Sequence, residues 1–162
     1  MLHLAIFYTL FSLTCCYALV RGGDPERLIA GIMILGVALT PIVVNPASRR
    51  FYGMEAGLLT LDILILLAFV AIALRANRFW PMGIVVFHSM SVVGHLLKLG
   101  DPRLIRTAYL VMLALWIYPQ MLLLVLGTWR HRARWIATGA DRSWSTSSRP
   151  SAAARLPSGP NG

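Results

Sequence analysis

The chain has 162 residues, of which 57% are hydrophobic and only 13% are charged, and its formal net charge is +9. An average soluble domain is about 45–50% apolar and about 25% charged. A water-soluble fold of this length cannot bury so much apolar surface. The composition therefore excludes a soluble enzyme and indicates an integral membrane protein.

Five apolar stretches are long enough, or nearly so, to cross a bilayer as helices, which takes about 20 residues. None alternates with a period of two, and all are too long for barrel strands. Helices are required because lipid offers the backbone no hydrogen-bond partner. We predict an all-α integral membrane bundle of about five transmembrane helices within residues 1–135. In chain order the predicted helices lie near residues 2–20, 28–44, 56–74, 82–98 and 107–128.

The connections between these helices carry strong turn signals. Gly23-Asp24-Pro25 and Gly100-Asp101-Pro102 each place a glycine after one helix, an aspartate as the cap of the next and a proline at its first position. Pro41 and Pro119 lie inside predicted segments, where we expect them to kink the helix. Several aromatic residues fall at predicted membrane interfaces, as in an aromatic belt. They are Phe51, Tyr52, Phe79, Trp80, Trp129 and Trp135.

The C-terminal region differs in composition from the rest of the chain. Residues 136–162 are rich in Ser, Pro, Ala and Arg, which predicts a basic, disordered cytoplasmic tail. We expect Arg130, Arg132 and Arg134 to lie near anionic lipid, and His131 among them to be solvated or lipid-facing. Nucleic acid is not an expected partner, because no recognition module has room to fold here.

The distribution of basic residues predicts the orientation in the membrane. If the N-terminus lies outside, ten of the 15 Lys and Arg residues lie on the cytoplasmic side. Cytoplasmic loops generally carry the excess of basic residues. We therefore predict an external N-terminus and a cytoplasmic C-terminus. The five basic residues on the outer side are Arg49, Arg50, Lys98, Arg103 and Arg106.

Polar residues inside the predicted helices point to a site. An aspartate at the centre of a membrane helix costs about 2.5–3.5 kcal/mol on insertion scales, so Asp62 should face the bundle interior. Asp62 precedes Arg75 by 13 residues, and His95 follows Pro81 by 14 residues. These separations are about 20 Å and 21 Å along two antiparallel helices. We expect Asp62 and His95 to meet at one depth.

Further polar residues are predicted near this pair. His88, Ser91 and His95 share one face of the fourth segment, and Glu55 shares a face of the third segment with Asp62. Adjacent helices would thus present an acidic and an imidazole stripe. Other polar residues at the same predicted depth would complete a cup open to the outside. They are His3, Thr40, Asn45 and Tyr109.

Three interpretations of this cluster remain open. Asp62 and His95 can hold the helices in register, since interhelical hydrogen bonds contribute about 0.6–2 kcal/mol each. They can form a proton-relay or small-solute site. They can also belong to a haem, metal or quinone site. Two histidines at i and i+7 stand about 10 Å apart, so a haem would need a ligand from another helix, such as His3.

Four short features underlie a family resemblance: Phe79-Trp80-Pro81, His95, Gly100-Asp101-Pro102 and Tyr118-Pro119. In these features the chain resembles a group of small multi-pass proteins of alphaproteobacterial inner membranes, to which no activity is attached. The resemblance covers roughly residues 1–135. It implies residence in a bacterial inner membrane and assigns no catalytic role.

The sequence contains no serine-nucleophile, zinc-protease or P-loop motif. We predict no catalytic or metal-ligating residue and expect no resident cofactor. The predicted function is that of a non-enzymatic accessory or interaction protein. A proton-linked transport or solute-binding subunit is the alternative, and a haem, metal or quinone protein is the third. Predicted partners are the lipid bilayer, further copies of the chain and other membrane proteins.

Overall fold

The structure is a computed structural model that describes residues 2–43, 56–100, 111, 114–139 and 144. Within these ranges the chain is all-helical and forms no strand, which confirms the predicted fold class. The five long helices are α1 (Leu2–Arg21), α2 (Asp24–Val43), α3 (Ala56–Arg75), α4 (Trp80–Gly100) and α5 (Ile117–Thr138).

Helices α1 to α4 are each long and apolar enough to cross a membrane. Their outer surfaces carry large apolar side chains, such as Leu13, Leu64 and Leu67, which are 63%, 59% and 60% exposed. The buried positions include His88, His95 and other polar residues. Apolar side chains outside and polar side chains inside are the arrangement that lipid requires, because polar groups must find partners within the bundle. The chain is a membrane protein.

Helix α2 begins at Asp24, four residues before the predicted start of its segment. Acidic residues in a first turn interact favourably with the helix dipole, and Pro25 is tolerated there because that position needs no N–H donor. The Arg27 amide donates to the Gly23 carbonyl over 3.0 Å and closes the first turn. The apolar segment 28–44 therefore omits the first turn of the helix, whereas the Gly23-Asp24-Pro25 turn signal places its start correctly to within one residue.

Helix α5 extends beyond the end of the predicted segment 107–128, and residues 111, 114 and 115, which precede it within that segment, are also helical. It begins at Ile117 and continues to Thr138, while residues 101–110, 112 and 113 lie outside the described part of the chain. The charged residues after 128 extend the helix because arginine is a good helix former. Gly139 ends it with φ 68°, and its amide donates to the Trp135 carbonyl over 2.9 Å, as in a left-handed cap.

The C-terminal tail was predicted to begin at residue 136, but the helix continues past that point. Residues 136–138 belong to α5 rather than to the tail. Trp144 is described and contacts the helical bundle. The rest of the tail, 140–143 and 145–162, lies outside the described residues.

The five helices pack as a closed ring. Each contacts its neighbour in the chain, α1 also contacts α5, and α2 contacts α5 across the ring. One end of the ring holds the α1–α2 turn at 22–23, the α3–α4 connection at 76–79 and the last turns of α5; we call it the basic end. Apolar side chains from all five helices form the core. Its buried members are Phe11, Cys15, Ala18, Ile29, Ala30, Met33, Phe69, Ile72, Ile84, Met121 and Leu124.

Candidate functional site

Asp62 of α3 and His95 of α4 are in direct contact. His95 Nε2 lies 3.2 Å from Asp62 Oδ2. The His95 side chain is 1% exposed and that of Asp62 is 21% exposed. The predicted contact, which followed from helix depth alone, is confirmed. The role of the pair stays a prediction.

His88, about two turns of α4 closer to the basic end than His95, binds the same aspartate. Its Nε2 donates to the Asp62 backbone carbonyl over 3.1 Å, since a carbonyl oxygen can only accept. The Phe69 ring meets the imidazole edge to face, with the ring centroids 5.2 Å apart. His88 is thereby held on both sides, and α4 attaches to the Asp62 region at two histidines.

These polar groups line a cavity of about 280 Å³ inside the bundle. Helices α2, α3, α4 and α5 contribute its walls. Apolar side chains form most of the lining, including Met33, Leu58, Leu61, Ile65, Phe69 and Ile117. Six polar side chains also line it: Thr40, Asp62, His88, Ser91, His95 and Gln120. A mostly apolar cavity with a few convergent polar groups has the general form of a small-molecule site.

Gln120 is a polar residue of the cavity that was not predicted from the sequence to belong to the cluster. It is 3% exposed, and its Nε2 donates to the Trp116 carbonyl over 3.0 Å. Trp116 precedes α5, and Pro119 lies in the first turn of that helix rather than in the middle of a longer one. A buried glutamine in a membrane segment, next to a proline that frees a backbone carbonyl, was the available signal.

The remaining predicted site residues are distributed as follows. Ser91 lines the cavity and is 6% exposed, and Thr40 also lines it. His3 is exposed at the start of α1 and is not among the cavity residues. His3 therefore does not belong to the polar cup that was expected around Asp62 and His95. Glu55, Asn45 and Tyr109 lie outside the described residues.

The same cluster contains side chains of the types that bind metal ions, two histidines and an aspartate. Within the described ranges, no three His, Cys, Asp or Glu side chains are arranged to hold a metal ion. His88 reaches the Asp62 backbone rather than its carboxylate. The cavity therefore offers hydrogen-bonding groups to a solute more readily than a ligand set to a metal.

A second polar network lies at the basic end. Glu26 of α2 is completely buried, and its Oε1 accepts a hydrogen bond from Arg78 Nη1. Arg78 Nη2 lies 3.0 Å from His131 Nδ1 of α5. The network thus joins α2, the α3–α4 connection and α5. His131 was predicted to be solvated or lipid-facing; it is half-buried and contacts Arg78 on one side while it also lines an open cleft at this end.

Trp144 contacts the same end of the bundle. Its indole Nε1 donates to Asp24 Oδ2 over 3.0 Å, and its backbone pairs with that of Ala76. Trp80 was predicted to join the aromatic belt, yet its ring packs inward on α5 next to Gly127. Phe79, Trp129 and Trp135 are exposed, at 89%, 59% and 59%, as the belt requires.

No protein-family model matches the chain, and comparisons with curated proteins and with solved structures find no significant similarity.

Proposed function

We propose that this protein is a membrane subunit that binds a small solute in the cavity around Asp62, with the Asp62–His95 pair exchanging a proton as the solute binds. The main support for the proposal is the presence of a cavity beside Asp62, His88 and His95. Polar side chains that served only to pack helices would leave no room beside them, whereas Asp62, His88 and His95 border about 280 Å³. That volume exceeds the room needed for a single water molecule many times over.

The lining indicates the chemistry of the solute. Ligand sites usually measure about 300–1,000 Å³, so this cavity suits a molecule of few heavy atoms. The carboxylate of Asp62 accepts hydrogen bonds, and the imidazoles and the Gln120 amide can donate or accept them. Leucine, isoleucine and phenylalanine side chains cover the rest. A compact, uncharged molecule with one hydroxyl group satisfies both parts of the lining.

The experiment compares phenol with toluene, which has nearly the same shape but no hydroxyl group. The purified full-length protein in detergent is titrated with each, and histidine ring signals are followed by NMR. We expect phenol to bind about two- to tenfold more tightly, the worth of one net hydrogen bond. Asp62→Asn should reduce this preference. Proton uptake or release on phenol binding, measured in weak buffer, tests the exchange of a proton.

Ser89→Ala is the matched control. Ser89 lies on the same helix as the two histidines, and its hydroxyl donates to the Val85 carbonyl of its own helix. It does not line the cavity, so the preference for phenol should persist. Equal affinity for phenol and toluene, or a loss of preference in Ser89→Ala as large as in Asp62→Asn, would contradict the proposal.

The direct bond between Asp62 and His95 favours a second candidate. It would serve as an interhelical clamp in an accessory protein that acts through other membrane proteins or further copies of the chain. Under this function Asp62→Asn lowers stability or partner recovery, and neither probe binds. The two candidates therefore give opposite results in the phenol titration.

We also propose that the membrane is a bacterial inner membrane and that the basic end faces the cytoplasm. The distribution of arginine supports this orientation. Four arginines that were assigned to the inside, Arg21, Arg27, Arg75 and Arg78, belong to the basic end together with the last turns of α5. A reporter fused after Thr138 that is active only outside the membrane should be silent. Activity there would reverse the orientation.

A further inference from the structure

A cleft of about 490 Å³ lies at the basic end, between the α1–α2 turn and the last turns of α5. Arg21, Arg27 and Arg132 line it, and none of the acidic side chains that the structure describes does. None of these three arginines forms an ion pair with another residue in the described part of the chain. Three guanidinium groups around one concave space create a strongly positive site.

The acidic residues that the structure describes at this end, Glu26 and Asp24, do not neutralise the cleft. Glu26 precedes Arg27 in the chain, but its carboxylate is buried and bound by Arg78. Asp24 accepts a hydrogen bond from Trp144 and is not among the residues that line the cleft. The positive charge therefore remains available to an anion that enters from outside.

The rim of the cleft is apolar and exposed. Val20, Trp135 and Ile136 line one side and are 63%, 59% and 70% exposed. Val20 is in the last turn of α1, a helix that is apolar enough to cross a membrane. A tryptophan at the end of such helices is typical of the level of the lipid headgroups. The cleft thus offers cationic donors and an apolar surface at the membrane boundary.

We propose that this cleft binds the phosphate group of an anionic phospholipid. Arg21, Arg27 and Arg132 would donate charge-assisted hydrogen bonds to the phosphate oxygens, which arginine contacts with two parallel donors. The acyl chains would lie along the apolar rim. A free phosphate ion offers the same oxygens, but it has no apolar part that could contact the rim. The proposal is independent of the solute cavity.

The position of each arginine provides a matched control. Arg130 and Arg132 lie two residues apart on α5, yet only Arg132 lines the cleft. Arg130 is exposed elsewhere on the helix. Arg130→Gln and Arg132→Gln therefore remove the same charge at nearly the same depth, and differ only in whether that charge belongs to the cleft.

The experiment titrates the full-length protein in detergent with phosphatidylglycerol and with phosphatidylcholine, and counts bound lipids by native mass spectrometry. We expect phosphatidylglycerol to be preferred. Arg132→Gln and Arg27→Gln should each weaken its binding about fivefold, as expected for one arginine near an anionic surface. Arg130→Gln should leave it unchanged, and Arg132→Lys, which keeps the charge, should retain most of it.

Three results would overturn the proposal. The first is equal loss in Arg130→Gln and Arg132→Gln, which would indicate a diffuse basic surface. The second is equal binding of the two lipids. The third comes from a parallel titration with inorganic phosphate, which should neither bind nor displace phosphatidylglycerol. Displacement by inorganic phosphate would assign the cleft to a soluble anion. Circular dichroism of each variant verifies that the helices are intact.

Discussion

The Trp80 indole lies directly on Gly127, so that the first residue of α4 covers the backbone of α5. A Cβ atom at residue 127 would stand 2.5 Å from Cε2 of this ring and 2.9 Å from its Nε1. Trp80 Nε1 is buried and has no hydrogen-bond partner within the described residues. Glycine at 127 therefore permits close contact between α4 and α5, whereas any side chain there would push the Trp80 ring away from α5.

Replacement of Gly127 by alanine should destabilise the protein. Adding a methyl group to a well-packed interior destabilises a protein by about 1–3 kcal/mol. The higher helix propensity of alanine offsets about 1 kcal/mol of this at most. Gly31→Ala is the control, because nothing lies within 4 Å of a Cβ there. Thermal unfolding in detergent compares the two. If Gly127→Ala melts no lower than Gly31→Ala, the close contact does not limit packing.

Removal of the Glu26 carboxylate should have the largest effect on stability of any change considered. Loss of one partner of a buried ion pair costs about 3–5 kcal/mol, because the other charge remains buried. Glu26→Ala should lower the free energy of unfolding, measured by titration with sodium dodecyl sulfate, by about this amount. Asp24→Ala, at an exposed site two residues earlier, should cost much less.

A double variant tests the interpretation of that result. Glu26→Met with Arg78→Met replaces both charges by apolar side chains, which is often close to neutral in a buried pair. His131 would lose its contact with Arg78 but keep access to the cleft. We expect the double variant to be more stable than Glu26→Ala alone. A double variant that is less stable would show that Arg78 stabilises the end of the bundle by other contacts.

Asp62→Asn should lower stability by about 0.6–2 kcal/mol, the range for an interhelical hydrogen bond in a membrane protein. Asparagine keeps an oxygen acceptor for His95, so the helices should remain assembled. Thr60→Val is the control, because Thr60 is exposed on α3 and donates only to the Ala56 carbonyl of its own helix. Equal effects of the two substitutions would show that the Asp62–His95 contact adds nothing to stability.

Trp144→Phe should release the segment that follows α5. The variant removes the hydrogen bond to Asp24, worth about 0.5–1.5 kcal/mol. Trypsin cleavage on the C-terminal side of α5 should then be about two- to tenfold faster, because proteolysis follows the population of the state in which residue 144 is released. Trp129→Phe, at an exposed position on α5, should leave the cleavage rate unchanged. An unchanged rate in Trp144→Phe would mean that this contact does not hold the segment.

The Asp62–His95 contact was predictable because an aspartate in a membrane helix is costly to expose to lipid and must face the interior of the bundle. Counting residues from the helix ends then fixes the depth at which it meets a histidine. The Glu26–Arg78 pair was not predictable in this way. Both residues lie near helix ends, where charges are usually solvated, and only the packing of α5 over that end encloses them.

Two further differences have physical causes that a single segment does not reveal. Gln120 joins the cavity because of the rotation of α5 about its axis, which depends on contacts with α2 and α4. The end of α5 lies beyond the apolar run because a helix can continue after the hydropathy falls. Hydropathy therefore predicted the positions of α1 to α4 closely. It did not predict the end of α5, because the last part of this helix carries charged residues.

Closure of the ring by α1 and α5 has a consequence for biogenesis. The chain is synthesised from its N-terminus, so α1 and α4 have an unpaired side until α5 packs between them. By then Asp62, His88 and His95 can already meet, since α3 and α4 are both inserted. The wall formed by Ile117 and Gln120 is still absent. The packing of α5 therefore both closes the ring of helices and completes the wall of the cavity, so the site is assembled only after α5 has been synthesised.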